Sequence, residues 1–191
     1  MPALLAVMCG LRRGETCALR WHHVDLDGAQ LSVVESVEQT KSGLRFKSPK
    51  SGKGGKVALS STVVDELRSH RAQRAEELLK LGKRISDDDF VVSHPDGAMV
   101  PPIHVSQQWG FAIAKTGLAK LRFHDLRHAH ATHLLAMGVH PKVASERLGH
   151  SRVGITLDLY SHVIPGMQED AAASLDRALR TAIQKAQKPN G

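Results

Sequence analysis

Apolar residues fall at helical spacing over most of this chain and alternate in strand fashion in one region only. Ala3 to Met8 reads as the end of a buried helix, and a short helix is expected from Gly14 to Arg20. Gln30 to Gln39 (QLSVVESVEQ) is rich in β-branched residues with partial alternation, which predicts a strand. Phe46 and the stretch Val57 to Leu59 look like the flanks of further strands, joined by the glycine-rich turn SGKGGK. From Thr62 to Leu81 the pattern is helical, with Val63, Val64, Leu67, Leu78 and Leu79 as apolar positions and Thr62 with Asp65 as the N-terminal cap pair.

A short strand at Phe90 to Val92 leads into the turn HPDG, and Pro101 and Pro102 open a helix that runs to Lys115. A helix from His124 to Met137 ends at Gly138, and Pro141 starts the next, which stops near Gly149. Leu157 to Tyr160 belong to another helix, separated by Pro165-Gly166 from a last one at Asp170 to Lys185; the tail KPNG is expected to fray. These elements predict a mostly α domain with a small antiparallel β-sheet, an α+β class, without internal repeats.

With 191 residues the chain is long enough for one domain with a sizeable core. Aromatics are only 4%, so that core must rest on Leu, Val, Ile and Ala. A net charge of +7 favours a polyanionic partner such as nucleic acid, although a basic surface alone does not establish one. Cys9 and Cys17 are too few for a disulfide framework and match no zinc spacing, which makes them small core residues. The opening MPALLAVMCG lacks the basic region and cleavage pattern of a signal peptide, and no stretch is long enough to span a bilayer. A cytoplasmic setting without membrane partners is expected.

Four segments can carry chemistry. In GLRRGE (Gly10 to Glu15) an arginine stands three residues before a carboxylate, which can fix the guanidinium while it still offers donors to a phosphate. The run Lys41, Arg45, Lys47, Lys50, Lys53 and Lys56 has no acidic residue between Glu38 and Asp65, and makes a basic finger for a DNA groove or simply a soluble turn. In HDLRHAHATHLL (His124 to Leu135), His124 and Arg127 share a helix face and can address one phosphate. His128, His130 and His133 invite a metal reading, but no HExxH, cysteine or carboxylate cluster completes a shell, so they read as packing or surface residues. LGHSRVGITLDLYSHV (Leu148 to Val163) sets His150 at the end of one helix and Tyr160, the chain's only tyrosine, ten residues on. Singly, each segment has a bland structural explanation.

Jointly and in this order, the boxes resemble the tyrosine recombinases of the phage integrase type, from Gly10 to about Val163. By position, Arg12 and Arg127 resemble the phosphate-clamping arginines, His124 and His150 the two histidines, Tyr160 the nucleophile, and Glu15 the supporting acidic residue. The family's hairpin lysine fits Lys50 best when counted back from the strand VAL, with Lys53 as the alternative; Lys41, Arg45, Lys47, Lys53 and Lys56 are expected to touch DNA.

The resemblance implies a site-specific DNA recombinase that cuts and rejoins strands through a 3′-phosphotyrosyl intermediate, without cofactor or metal. It further implies double-stranded DNA and other protomers, four at synapsis, as partners. Residues 1–191 are expected to be one catalytic domain lacking the family's N-terminal DNA-binding domain, with 166–187 as a packing or exchange helix. The competing readings are a non-catalytic DNA-binding remnant, a type IB topoisomerase-like enzyme and, last, a histidine-based metallohydrolase.

Overall fold

The computed structural model describes residues 1–48, 55–150, 152–163 and 167–186. Helix α1 (Pro2–Cys9) begins on a proline, whose missing N–H costs nothing in a first turn, and buries Leu5, Ala6 and Cys9. Helix α2 (Arg13–Ala18) buries Thr16, Cys17 and Ala18, and a single 3₁₀ turn at Trp21–His23 then places Trp21 in the core, 1% exposed. The core that includes Trp21 is built mainly of small and branched residues, among them Leu31, Val37, Leu67 and Val91, with Phe123 as a second aromatic. Cys9 and Cys17 are buried within it, and burial pushes their thiols up to about 11 and about 12.

The α+β class holds, but among the described residues the β-structure is two small antiparallel sheets. Strands β1 (Val24–Asp25), β2 (Gln30–Val33) and β5 (Gly55–Ala58) form one, in the order β1-β2-β5; β3 (Ser36–Thr40) and β4 (Gly43–Lys47) form the other. The single strand expected over Gln30 to Gln39 is therefore broken. Val33 pairs with Gly55 and Ser36 with Lys47, so the chain changes partner across residues 34–35. There Glu35 turns to Arg20, 3.3 Å away. Phe46 and Val57 consequently lie in different sheets, and the connection they were expected to share falls mostly outside the described residues.

Helix α3 (Ser61–Lys80) takes its cap two residues earlier than Thr62 suggests: the Ser60 hydroxyl accepts from Val63 N at 3.4 Å. Val63, Val64, Leu67 and Leu78 are buried as expected, whereas Leu79, about 100° around the helix from Leu78, is 66% exposed. Phe90 to Val92 makes one bridge, Arg20 to Phe90, rather than a strand, because its neighbour there is the irregular chain around Arg20. Helices α4 (Pro102–Ala114), α5 (Asp125–Ala136), α6 (Pro141–Leu148), α7 (Gly154–Val163) and α8 (Met167–Ala186) follow close to their expected bounds. α5 packs on α1, and α7 packs on both α5 and α6.

Candidate active site

Arg12 is the last extended residue before α2, at φ −70° and ψ 153°. Its backbone N–H donates to Glu15 Oε2 and its Nη1 to Glu15 Oε1, both at 2.7 Å, so one carboxylate caps the helix and aims the guanidinium. Nη2 reaches the Gly149 carbonyl at 3.3 Å. The side chain remains 42% exposed, open to an incoming anion.

Arg127 is held differently. It is 5% exposed, and its Nη1 and Nη2 donate to the Gly10 and Leu148 carbonyls, each at 2.5 Å. These bonds tie α5 to the α1–α2 junction and to the end of α6, and they use two of the five guanidinium N–H donors. Glu15 Oε2 stands 3.8 Å from Nη1, so Glu15 compensates both arginines. Burial first, and then Arg12, lowers the Arg127 pKa to about 10, which still leaves it cationic at neutral pH.

α6 ends on Gly149 at φ 60°, a left-handed turn that favours glycine and releases His150 toward the two arginines. Burial, Arg127 and Arg12 pull the His150 pKa down to about 4, so the ring is neutral at pH 7. Its Nδ1 lies 2.9 Å from Oγ1 of Thr156, which is fully buried on α7. His124 sits exposed at the start of α5, edge-on to His128 with ring centroids 4.7 Å apart. Partial burial, His128 and Arg127 lower its pKa, which favours a ring able to accept a proton.

Tyr160 belongs to α7, one turn beyond Thr156; its side chain lies outside the described residues. The helix carrying the only tyrosine is therefore docked on the helices that present Arg127 and lead into His150. Lys50 and Lys53 lie outside the described residues. The other cations do not form one finger. Lys41 is at the tip of the β3–β4 hairpin, while Lys56 stands in β5 of the other sheet. Arg45 and Lys47 both pair with Glu38, with Arg45 Nη2 at 2.5 Å. Glu38 faces Arg45 across the hairpin, a compensation that linear charge counting misses.

Of the remaining histidines, His130 is buried, whereas His128 and His133 are exposed. Among the described residues, no group of three or more His, Cys, Asp or Glu side chains is arranged to hold a metal ion. Sequence reasoning missed Thr156, because a threonine six residues after His150 carries no signal until α7 folds back. It also missed a cleft of about 960 Å³ beside Arg12 and His124, floored by Val37, Trp109, Ile113, Leu118 and Phe123. Replacing Thr156 with Val should slow site chemistry about tenfold, the worth of one neutral hydrogen bond near 1.4 kcal/mol, through a loosened His150 ring. An unchanged cleavage rate in single-turnover assays would remove Thr156 from the site.

One glutamate thus draws two arginines together beside a neutral histidine and a tyrosine-bearing helix. The chain belongs to the phage integrase family, whose sequence pattern matches residues 2–166. It is 31% identical over 186 residues to a Tyrosine recombinase XerC-like protein of Caldanaerobacter subterraneus subsp. tengcongensis, covering 91% of this chain and 48% of that one. It is 28% identical over 176 residues to the ICEBs1 integrase of Bacillus subtilis, covering 92% and 48% respectively. The Tn1549 transposon integrase, solved in complex with transposon right end DNA, shares the fold at a TM-score of 0.76 and 22% identity, over 92% of this chain and 57% of that one. The chain spans about half the length of these two curated relatives.

Proposed function

We propose that the chain is the catalytic domain of a site-specific DNA recombinase that breaks and rejoins strands through Tyr160. The observation that carries this reading is the meeting of Arg12, Arg127 and His150 beside the helix that bears Tyr160. A phosphodiester is an anion and its transition state carries still more negative charge, which two arginines and a histidine donor stabilise. Deprotonating a phenol of pKa near 10 at neutral pH costs about 4 kcal/mol, which the arginines and a base must offset.

His124, with its lowered pKa, serves as that base. His150, neutral down to about pH 4, suits hydrogen bonding to a non-bridging oxygen better than proton transfer. The Tyr160 oxygen forms a bond to phosphorus as the bond to the 5′ oxygen breaks, and Lys50 (or Lys53) supplies the proton that this oxygen takes away. The 3′-phosphotyrosyl link keeps the energy of the broken bond, so another 5′ hydroxyl reverses the step and frees Tyr160.

Double-stranded DNA and further protomers are the partners of this reading, four protomers at synapsis. Residues 1–191 act as one catalytic domain in it, and residues 166–187 pack on a neighbouring protomer. Leu175, Leu179 and Ile183, spaced by one turn on α8, are 62%, 54% and 54% exposed, an apolar stripe that a second copy would cover. Among the described residues no helix is long and apolar enough to cross a membrane, and DNA chemistry places the work in the cytoplasm.

A duplex nicked so that the leaving strand diffuses away tests the reading: the chain should become covalently attached to DNA. Binding without attachment would point to a DNA-binding remnant, and relaxation of supercoils without strand exchange to a topoisomerase. Exposed lysines should set DNA affinity. Neutralising Lys41 and Lys56 together is expected to lower the slope of log K against log salt by roughly 1.8. Lys47→Ala should lower it less than about 0.9, because Glu38 already compensates that charge. Anisotropy titrations across salt read both effects, and unchanged slopes would take these lysines off the DNA.

A further inference from the structure

Three residues beyond Arg127 on α5, His130 is 7% exposed and bonded at both ring nitrogens. Nδ1 lies 2.9 Å from the Val7 carbonyl and Nε2 lies 3.2 Å from Arg147 Nε. A carbonyl only accepts and a guanidinium only donates, so the ring is neutral with its proton on Nδ1. Arg147 spends its other arms on the Ala58 carbonyl of β5 at 3.0 Å and the Met8 carbonyl of α1 at 3.2 Å. Gly10, at φ +72°, lies so close to this ring that a Cβ there would stand 2.7 Å from His130 Cδ2.

The same two chain segments hold Arg127. Gly10, whose carbonyl accepts from Nη1, follows Val7 and Met8; Leu148, whose carbonyl accepts from Nη2, follows Arg147. We propose that His130 and Arg147 are positioning residues for Arg127: together they lock the end of α1 to the end of α6 and so fix the spacing of the two carbonyls that grip its guanidinium. The proposal rests on the reading of Arg127 as a phosphate clamp, and it assigns Arg147 an internal task rather than a contact with DNA. Arg147 charge alone cannot perform this task, since three bonds in a planar fork are needed to span α1, β5 and His130.

The test compares the full chain with His130→Phe and Arg147→Lys by three measurements. The first is hydrogen exchange of the Arg127 guanidinium N–H groups, followed by nitrogen-15 NMR and assigned with Arg127→Lys. The others are single-turnover cleavage of the nicked duplex at saturating DNA and the dissociation constant for DNA. In folded variants, Arg127 N–H exchange should quicken about tenfold or more and cleavage should slow about tenfold or more. DNA affinity should stay within about twofold, because the positioning pair makes no contact with phosphate.

Should His130→Phe fail to fold, Arg147→Lys, which keeps charge and stem, carries the comparison. Unchanged protection of Arg127 in a folded variant would overturn the proposal. So would an Arg147→Lys variant with parental protection and parental rate, since charge alone would then suffice. Because the exchange measurement needs no DNA, lost protection in a chain that never cleaves would sink the clamp reading and leave the positioning role standing.

Discussion

Tyr160→Phe is expected to abolish the covalent DNA adduct completely. The substitution removes one oxygen and keeps the ring, and this is the only tyrosine in the chain, so no other phenol can take over. Serine and threonine hydroxyls are weaker acids, and any bond they formed would differ chemically from a phosphotyrosine. DNA affinity should remain within a few fold, on the order of 1 kcal/mol, since a neutral phenol adds little to ground-state contact with a phosphate. A denaturing gel after incubation with the nicked duplex reads the outcome. A retarded band that persists in the Phe variant would overturn the mechanism.

The second large effect concerns the arginines, and the structure separates them. Arg12→Ala and Arg127→Ala should each slow cleavage by several orders of magnitude at saturating DNA, because in the proposed mechanism both act on charge that grows in the transition state. Only Arg127→Ala should also unsettle the fold. Its guanidinium is buried on two backbone carbonyls, and its loss leaves both without that donor and Glu15 with one arginine fewer. Such a loss costs roughly 3 kcal/mol or more, which in a chain of this size lowers Tm by on the order of 10 °C.

Arg12, 42% exposed, should leave Tm within a few degrees, roughly 1 kcal/mol. Arg127→Lys retains a charge but cannot fork between two carbonyls, and should resemble Ala in rate more than the parent. If the Arg12 and Arg127 variants cleaved normally once bound, the clamp assignment would fall. Equal Tm for Arg12→Ala and Arg127→Ala would contradict the burial argument instead.

The helices were legible because their signals are local. Pro102 and Pro141 at first turns and Gly138 and Gly149 past last turns are read within a few residues, and α4 to α8 lie close to those expectations. The strands were less legible. Gln30 to Gln39 has one alternating pattern yet serves two sheets, because pairing depends on which strand lies alongside and not on the segment itself. The basic run likewise reads as uninterrupted charge, and only the hairpin register sets Glu38 against Arg45 and Lys47.

By itself, the sequence determined the order and type of the helices, the basic character and the residue types of the boxes, with Tyr160 as the single phenol. Tertiary structure alone decided how those groups are held. Arg127 meets a carbonyl 117 residues away and Arg12 one 137 residues away, separations over which no local pattern carries information. Buried donors and acceptors must find partners wherever packing brings them, and so the burial of Arg127, the neutral His150 on Thr156 and the His130–Arg147 lock arise only when α1, α5, α6 and α7 close on one another.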